Sequence, residues 1–212
     1  MNGPEFGPAF EQQFIELLAW RRDVRHFRTD PISSDLVEHL LDLTNLAPSV
    51  GNAQPWRFVS VDDPARRTAI IGNFERANAD ALASYDGEKA RLYAALKLAG
   101  LKQAPRHLAV FCDETTEQGA GLGRMTMPET LRYSTVLAIH TLWLAARVRG
   151  LGLGWVSIID PAEAKACLDV PEPWSFVAYL CLGYPEDAQV EPELQRRGWQ
   201  AREARCRQVL QR

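Results

Sequence analysis

The sequence predicts a single α+β domain of layered α/β type, with about four or five strands packed between helices. Three observations predict it. The apolar runs 153–159 and 176–182 have strand length and little polar alternation, which suits strands covered on both faces. Stretches at 10–22, 36–47 and 129–149 carry apolar residues at helical spacing, and 64–103 reads as two further helices. Turn signals rather than low-complexity linkers separate these segments, and no repeat divides the 212 residues, which suffice for one sizeable core.

Taken in order, residues 1–9 hold two prolines and two glycines and read as a flexible arm; 10–212 form the domain, with a C-terminal extension. The helix over 10–22 has Phe14, Leu17 and Leu18 on one face. Pro31 and Ser33-Ser34-Asp35 open a second helix, with Leu36, Val37, Leu40, Leu41 and Leu43 inward, which stops near Ala47-Pro48 because a residue preceding proline leaves the helical region. A strand follows at 57–61. The helical stretch 64–103 breaks near Asp86-Gly87. Residues 107–112 form another strand and 115–128 a long loop. The helix at 129–149 is apolar on more than one face, which predicts burial in a core or against a second subunit. Asp160-Pro161-Ala162-Glu163 carries a helix start, with an Asp cap and Pro at the first position. From 188 onward the chain is charged and poorly periodic.

Composition excludes several classes. Hydrophobic residues make 46% and charged residues 24% of the chain, and the net charge of −3 provides no general basic surface for nucleic acid or an anionic membrane. No apolar segment has the length of a membrane span, and the N-terminus lacks a signal peptide's basic start and apolar centre. Cys112, Cys167, Cys181 and Cys206 show no C-x-x-C spacing, and His26, His39, His107 and His140 are scattered. The expectation is a cytoplasmic protein without disulfide framework or metal site.

The most informative motif is Arg21-Arg22-Asp23-Val24-Arg25. Arginine forks match phosphate geometry, and three cations around one acid exceed what an ion-pair cluster needs. The run therefore points to an anionic ligand with a carboxylate beside it for proton chemistry; a solvated helix end is the simpler alternative. Gly150-Leu151-Gly152-Leu153-Gly154 follows a helix and precedes a strand, the reverse of a dinucleotide-binding turn. It reads as a helix stop whose glycines also let backbone approach a flat ligand. Ser157 has no G-x-S-x-G around it and reads, on its own, as a small core residue. Residues 47–56 form a rigid loop rich in amide and hydroxyl groups.

Together these blocks resemble one family. The arginine run, A-P-S-V-G-N-A-Q-P-W (47–56) and G-L-G-W-V-S (152–157) are similar in order and spacing to the 5,6-dimethylbenzimidazole synthase (BluB) branch of the FMN-dependent nitroreductase superfamily. Further matches are Arg76-Ala77-Asn78, Gly87-Glu88, Leu96-Lys97-Leu98, Tyr133-Ser134-Thr135-Val136, 142–147 and Glu191-Pro192-Glu193-Leu194. Asp23 discriminates the branch, because ordinary nitroreductases usually carry Ser or Thr there.

The resemblance implies a nitroreductase-like mixed sheet flanked by helices, in an intertwined homodimer. It implies FMN as substrate rather than reusable cofactor: reduced FMN reacts with O₂ and fragments to 5,6-dimethylbenzimidazole, the lower ligand of vitamin B12, and erythrose 4-phosphate. NAD(P)H would enter indirectly, through a separate flavin reductase. Asp23 would move protons and Ser157 would hold the reacting flavin; both are the implied catalytic residues. Arg21, Arg22, Arg25 and Arg202 would bind the phosphate and ribityl chain. Leu153 and Gly154 would present backbone to the ring, and Ser49, Gly51 and Gln54 would contact the flavin. Gln200 stands where the family often has arginine. The break at 84–87 matches a lid that excludes water. Two alternatives stay open: an NAD(P)H-dependent nitroreductase or cob(II)yrinic acid a,c-diamide reductase that retains FMN, and a flavin-binding protein without chemistry.

Overall fold

Apolar alternation in the two longest strands decides the architecture. In β2 (Arg106–Asp113), Ala109 and Phe111 point to one side and Leu108 and Val110 to the other; in β4 (Trp174–Gly183), Tyr179 and Cys181 oppose Ala178, Leu180 and Leu182. All nine are buried, so both sheet faces need a cover. The computed structural model, which describes residues 3–96, 99–203 and 206–212, supplies one on each side. Helices α2 (Ser34–Thr44) and α5 (Thr130–Val148) cover one face through Val37, Leu40, Ile139 and Leu142. Helices α3 (Pro64–Ala83) and α6 (Pro161–Leu168) cover the other through Ile70, Ala164 and Leu168. Each buried Val, Leu or Ile among these contributes about 1.5–3 kcal/mol by leaving water.

The sheet order is β1-β2-β4-β3, with β1 at Trp56–Ser60 and β3 at Gly152–Val156. Its ladders are all antiparallel. Among the described residues, the parallel component of the expected mixed sheet is a single bridge, Asp23 to Leu153. That bridge lies on the outer edge of β3, where it protects an otherwise open strand.

Local signals explain most boundaries. Ser33 Oγ accepts from Leu36 N–H at 3.3 Å, and Asp160 accepts from Glu163 N–H at 2.8 Å, so both predicted caps form. Strand β3 stops at Val156, three residues before the predicted end, because the chain must turn into the Asp160 cap. Helix α4 (Gly87–Ala95) follows the predicted break. Lys97 and Leu98 of the Leu96-Lys97-Leu98 match lie outside the described residues.

The N-terminal helix α1 is Pro8–Trp20, starting inside the segment read as an arm and ending two residues early. Pro8 sits at the first helical turn, where its missing N–H costs nothing. Phe14 and Leu18, on the apolar face of the helix, remain exposed, and α1 buries no residue. In α5 the predicted burial is one-sided: Leu131, Ile139 and Leu142 are buried, whereas Tyr133, Val136 and Leu137 are exposed. The C-terminal segment contains a short helix, α7 (Glu193–Arg196), that periodicity could not reveal in four residues. No helix of the described residues is long and apolar enough to cross a membrane.

Candidate functional site

After Trp20 the chain becomes extended, with Arg21 at φ −70° and ψ 113°, and runs beside β3. Val24 N–H donates to Leu153 O at 3.1 Å. A Cβ at position 154 would collide with the Val24 carbonyl oxygen, and one at 152 with the Val24 side chain. The glycines of G-L-G-W-V-S therefore let the arginine run approach the strand.

That approach fixes Asp23. Its Oδ1 accepts from Trp155 N–H at 2.9 Å, where a neighbouring strand would offer a carbonyl, and its Oδ2 accepts from Arg25 Nε at 2.9 Å. About a third of the side chain, 32%, stays open, and Asp23 lines a cleft. Burial pushes its pKa above the usual carboxylate range. The Arg25 charge and the Trp155 and Arg25 hydrogen bonds oppose that rise, and the Glu193 charge adds to it.

The cleft has a volume of about 240 Å³ and is lined by the arginine run, α5, Gly152 and the segment 185–196. The Arg21 guanidinium lies 4.8 Å from the centre of the Trp143 ring, and its buried Nε has no hydrogen-bond partner among the described residues. Burial lowers the Arg21 pKa; Asp23 opposes this and Arg202 reinforces it. Burial likewise lowers the Arg22 pKa, followed by repulsion from Arg202 and Arg21. The cleft lining pairs five arginines with five carboxylates, but the charges are segregated: Arg21, Arg22 and Arg25 flank Asp23 on one wall, and four of the acids lie on the segment 185–196.

The structure brings Arg21, Arg22, Asp23 and Arg25 together and places the charge of Arg202 within reach of two of them. Arg22 differs from the expectation of a ligand contact. Its guanidinium bonds the carbonyls of Val190, Arg21 and Leu18, so it ties the C-terminal segment to the end of α1. Leu153 is buried and takes part through its carbonyl, and Gly154 lies beneath Val24.

Ser157, Ser49, Gly51 and Gln54 do not line this cleft within one protomer. Ser157 is exposed just beyond β3 rather than a core residue of a strand. Ser49 Oγ accepts from Gln54 N–H at 3.1 Å, and Gln54 Oε1 accepts from Gln118 Nε2 at 2.8 Å. Gly51, at φ 54°, packs on Gly119 and Leu122 so closely that a Cβ would press on the Leu122 carbonyl. These groups hold two loops together.

Trp143, Arg147, His26 and Glu193 also belong to the cleft, and the sequence alone assigns them no role. Trp143 supports Arg21 and donates Nε1–H to Arg22 O at 3.2 Å, and Arg147 lies one helical turn away, against Trp20. Their i, i+4 spacing in an apolar helix was the available signal. His26 Nε2 and Glu193 Oε1 meet at 3.2 Å and join the arginine run to α7. Residues so distant in sequence leave no local pattern.

The nitroreductase family model matches residues 18–184, most of the chain and all four strands. A 5,6-dimethylbenzimidazole synthase of Rhodospirillum rubrum is 61% identical over 95% of this chain and 95% of its own. One from Rhodobacter capsulatus is 53% identical over 92% of this chain and 94% of its own. Among solved structures, an iodotyrosine deiodinase bound to FMN and 3-iodo-L-tyrosine superposes with a TM-score of 0.71 at 25% identity, covering 93% of this chain and 97% of that one. By extent of match and by fold, this chain belongs to the nitroreductase family.

Proposed function

We propose that this protein is a 5,6-dimethylbenzimidazole synthase that takes reduced FMN as substrate and fragments it with O₂. The observation that carries the reading is Asp23: a carboxylate of raised pKa, fixed inside an arginine cleft where most of the superfamily has a hydroxyl. The names of the relatives at 61% and 53% identity support it.

The residues present fit FMN. The clustering of Arg21, Arg22 and Arg25 on one wall, with Arg202 repelling Arg21 and Arg22, suits a phosphate. The cleft, at about 240 Å³, falls below the roughly 300–1,000 Å³ of a complete small-molecule site. It has room for the phosphate and polyol, and the ring must lie beyond it. A second protomer would complete the site. The apolar outer faces of α1, with Phe10, Phe14 and Leu18, and of α5, with Tyr133, Val136 and Leu137, support such a homodimer. Ser157, Ser49, Gly51 and Gln54 would meet the flavin there.

When bound, the flavin supplies the redox and oxygen chemistry. The chain supplies position and protons. Arg21, Arg25 and Arg202 hold the phosphate and ribityl end, and Arg22 holds the segment that carries Glu193. Trp155 N–H and Arg25 lock the Asp23 rotamer, and each carboxylate oxygen, accepting one hydrogen bond, keeps a lone pair for a proton. Reduced FMN would come from a separate NAD(P)H-dependent flavin reductase.

The test is to mix the protein with reduced FMN in air and follow products by mass spectrometry. The expected product is 5,6-dimethylbenzimidazole with matching loss of flavin. Full recovery of FMN, with rapid NAD(P)H oxidation in the presence of a nitroaromatic, would place the protein with relatives that retain their flavin.

A further inference from the structure

Trp143, on the α5 wall of the arginine cleft, meets three parts of the site. The Arg21 guanidinium carbon lies over its ring, 4.8 Å from the centre. Its Nε1–H donates to Arg22 O at 3.2 Å. Its ring centre is 6.5 Å from that of Trp155, whose backbone N–H holds Asp23 at 2.9 Å. One indole thus packs against the cation, fixes the backbone between that cation and the acid, and backs the residue that carries the acid's donor. Its support is rigid, because Leu142 and Ala146 of the same helix are fully buried in the core.

Arg21, Arg22 and Arg25 are held in different ways. Arg22 bonds backbone carbonyls, and Arg25 Nε bonds Asp23. Arg21 makes no ion pair within 4.0 Å among the described residues, and the contact at its charged end is the Trp143 ring. The difference has a chemical consequence. A carboxylate would hold the guanidinium but would also take its donors and cancel its charge. A ring face attracts the cation and leaves the charge uncancelled. An arginine side chain otherwise loses much rotamer freedom when a ligand fixes it. Here the bond to Arg22 O fixes the chain beside Arg21, and the ring fixes the far end of the side chain.

We propose that Trp143 is a positioning residue: it holds Arg21 in the pose that receives the phosphate, and so makes the cleft select a phosphorylated flavin over the same flavin without phosphate. This role rests on the reading of the cleft as an FMN site.

The experiment is a binding cycle with oxidised FMN and with riboflavin, followed by quenching of flavin fluorescence, with the folding of each variant checked by urea unfolding. Trp143→Leu should weaken FMN binding about tenfold and leave riboflavin binding within about twofold. Trp143→Phe, which keeps a ring face and loses the N–H, should bind FMN within about threefold of the unaltered protein. In an Arg21→Met background, Trp143→Leu should change FMN binding by less than about twofold, because the residue it acts through is gone. Trp143→Met, flexible enough to fill an irregular gap, takes the place of Trp143→Leu in the cycle if that variant does not fold. Unchanged FMN binding in Trp143→Leu, equal loss of FMN and riboflavin binding, or an undiminished loss in the Arg21→Met background overturns the positioning role and leaves the FMN site standing. Trp143→Phe binding FMN as weakly as Trp143→Leu overturns the ring contact as its means. Failure of the unaltered protein to bind FMN more tightly than riboflavin overturns the phosphate reading of the cleft and this role with it.

Discussion

Two buried nitrogens among the described residues lack a hydrogen-bond partner, Arg21 Nε and His107 Nε2, and their surroundings are opposite. Arg21 lines an open cleft among other arginines, with Trp143 beneath it. His107 is 1% exposed in the layer between β2 and α3, where its Nδ1 meets Tyr179 Oη at 3.0 Å. The arginine lies against the Trp143 ring with its guanidinium beside the cleft. The histidine escapes the cost of burial by staying neutral: burial, assisted by the Arg67 charge, depresses its pKa to about 4. An unpartnered buried nitrogen therefore has different consequences on a charged side chain that lines a cleft and on a neutral one inside a packed layer. Sealed in an apolar layer, it marks a cost to stability.

The largest expected effect lies on the cleft side. Asp23→Asn preserves the acceptor for Trp155 N–H but removes the exchangeable carboxyl proton. Formation of 5,6-dimethylbenzimidazole should fall by about 10²–10⁴-fold, while FMN affinity, measured by fluorescence titration, stays within about fivefold. Unchanged product formation would make Asp23 only an edge cap for β3.

The next effect lies in the core. The folded-state pKa of His107 is about 4 against an ordinary 6.5, so the unfolded chain binds the proton more readily. The stability from neutral His107 is complete above pH 6.5, declines as pH falls, and is fully lost below about pH 4, a total of about 3 kcal/mol. Urea unfolding at a series of pH values should show this decline, less steeply in His107→Gln. Identical pH dependence in the two proteins would remove the contrast with Arg21.

Arg21→Met sharpens the same contrast. FMN affinity should fall about 10–100-fold, and urea stability should hold or rise, because an unpartnered buried donor is removed. Lost stability with unchanged FMN affinity would make Arg21 a packing residue like His107. Gln54→Ala should have the smallest effect, about threefold on FMN affinity, because its side-chain oxygen is already engaged by Gln118.

The layered fold was legible because strand runs covered on both faces and amphipathic helices leave strong periodic patterns, as in Ala109, Phe111 and Leu108, Val110. The caps at Ser33 and Asp160 were legible because capping is local chemistry. The position of α1 was less so. Its apolar face resembles one that packs inward, yet Phe14 and Leu18 stay exposed in the protomer. Within the site, the arginine run stood out by composition, whereas the His26–Glu193 contact and the packing of Trp143 on Arg21 join residues far apart in the chain.

The sequence by itself determined which groups are available: three arginines around one acid, glycines at 152 and 154, and a pattern shared with the nitroreductase family. Only the tertiary structure decided how they are used. It set Asp23 against the Trp155 N–H, turned Arg22 toward backbone carbonyls and left Arg21 Nε without a partner among the described residues. It also kept Ser157 and the 49–54 loop out of the protomer's cleft. The reason is physical: residue type fixes charge and donor count, whereas partner and burial depend on chain segments that meet only in the folded molecule.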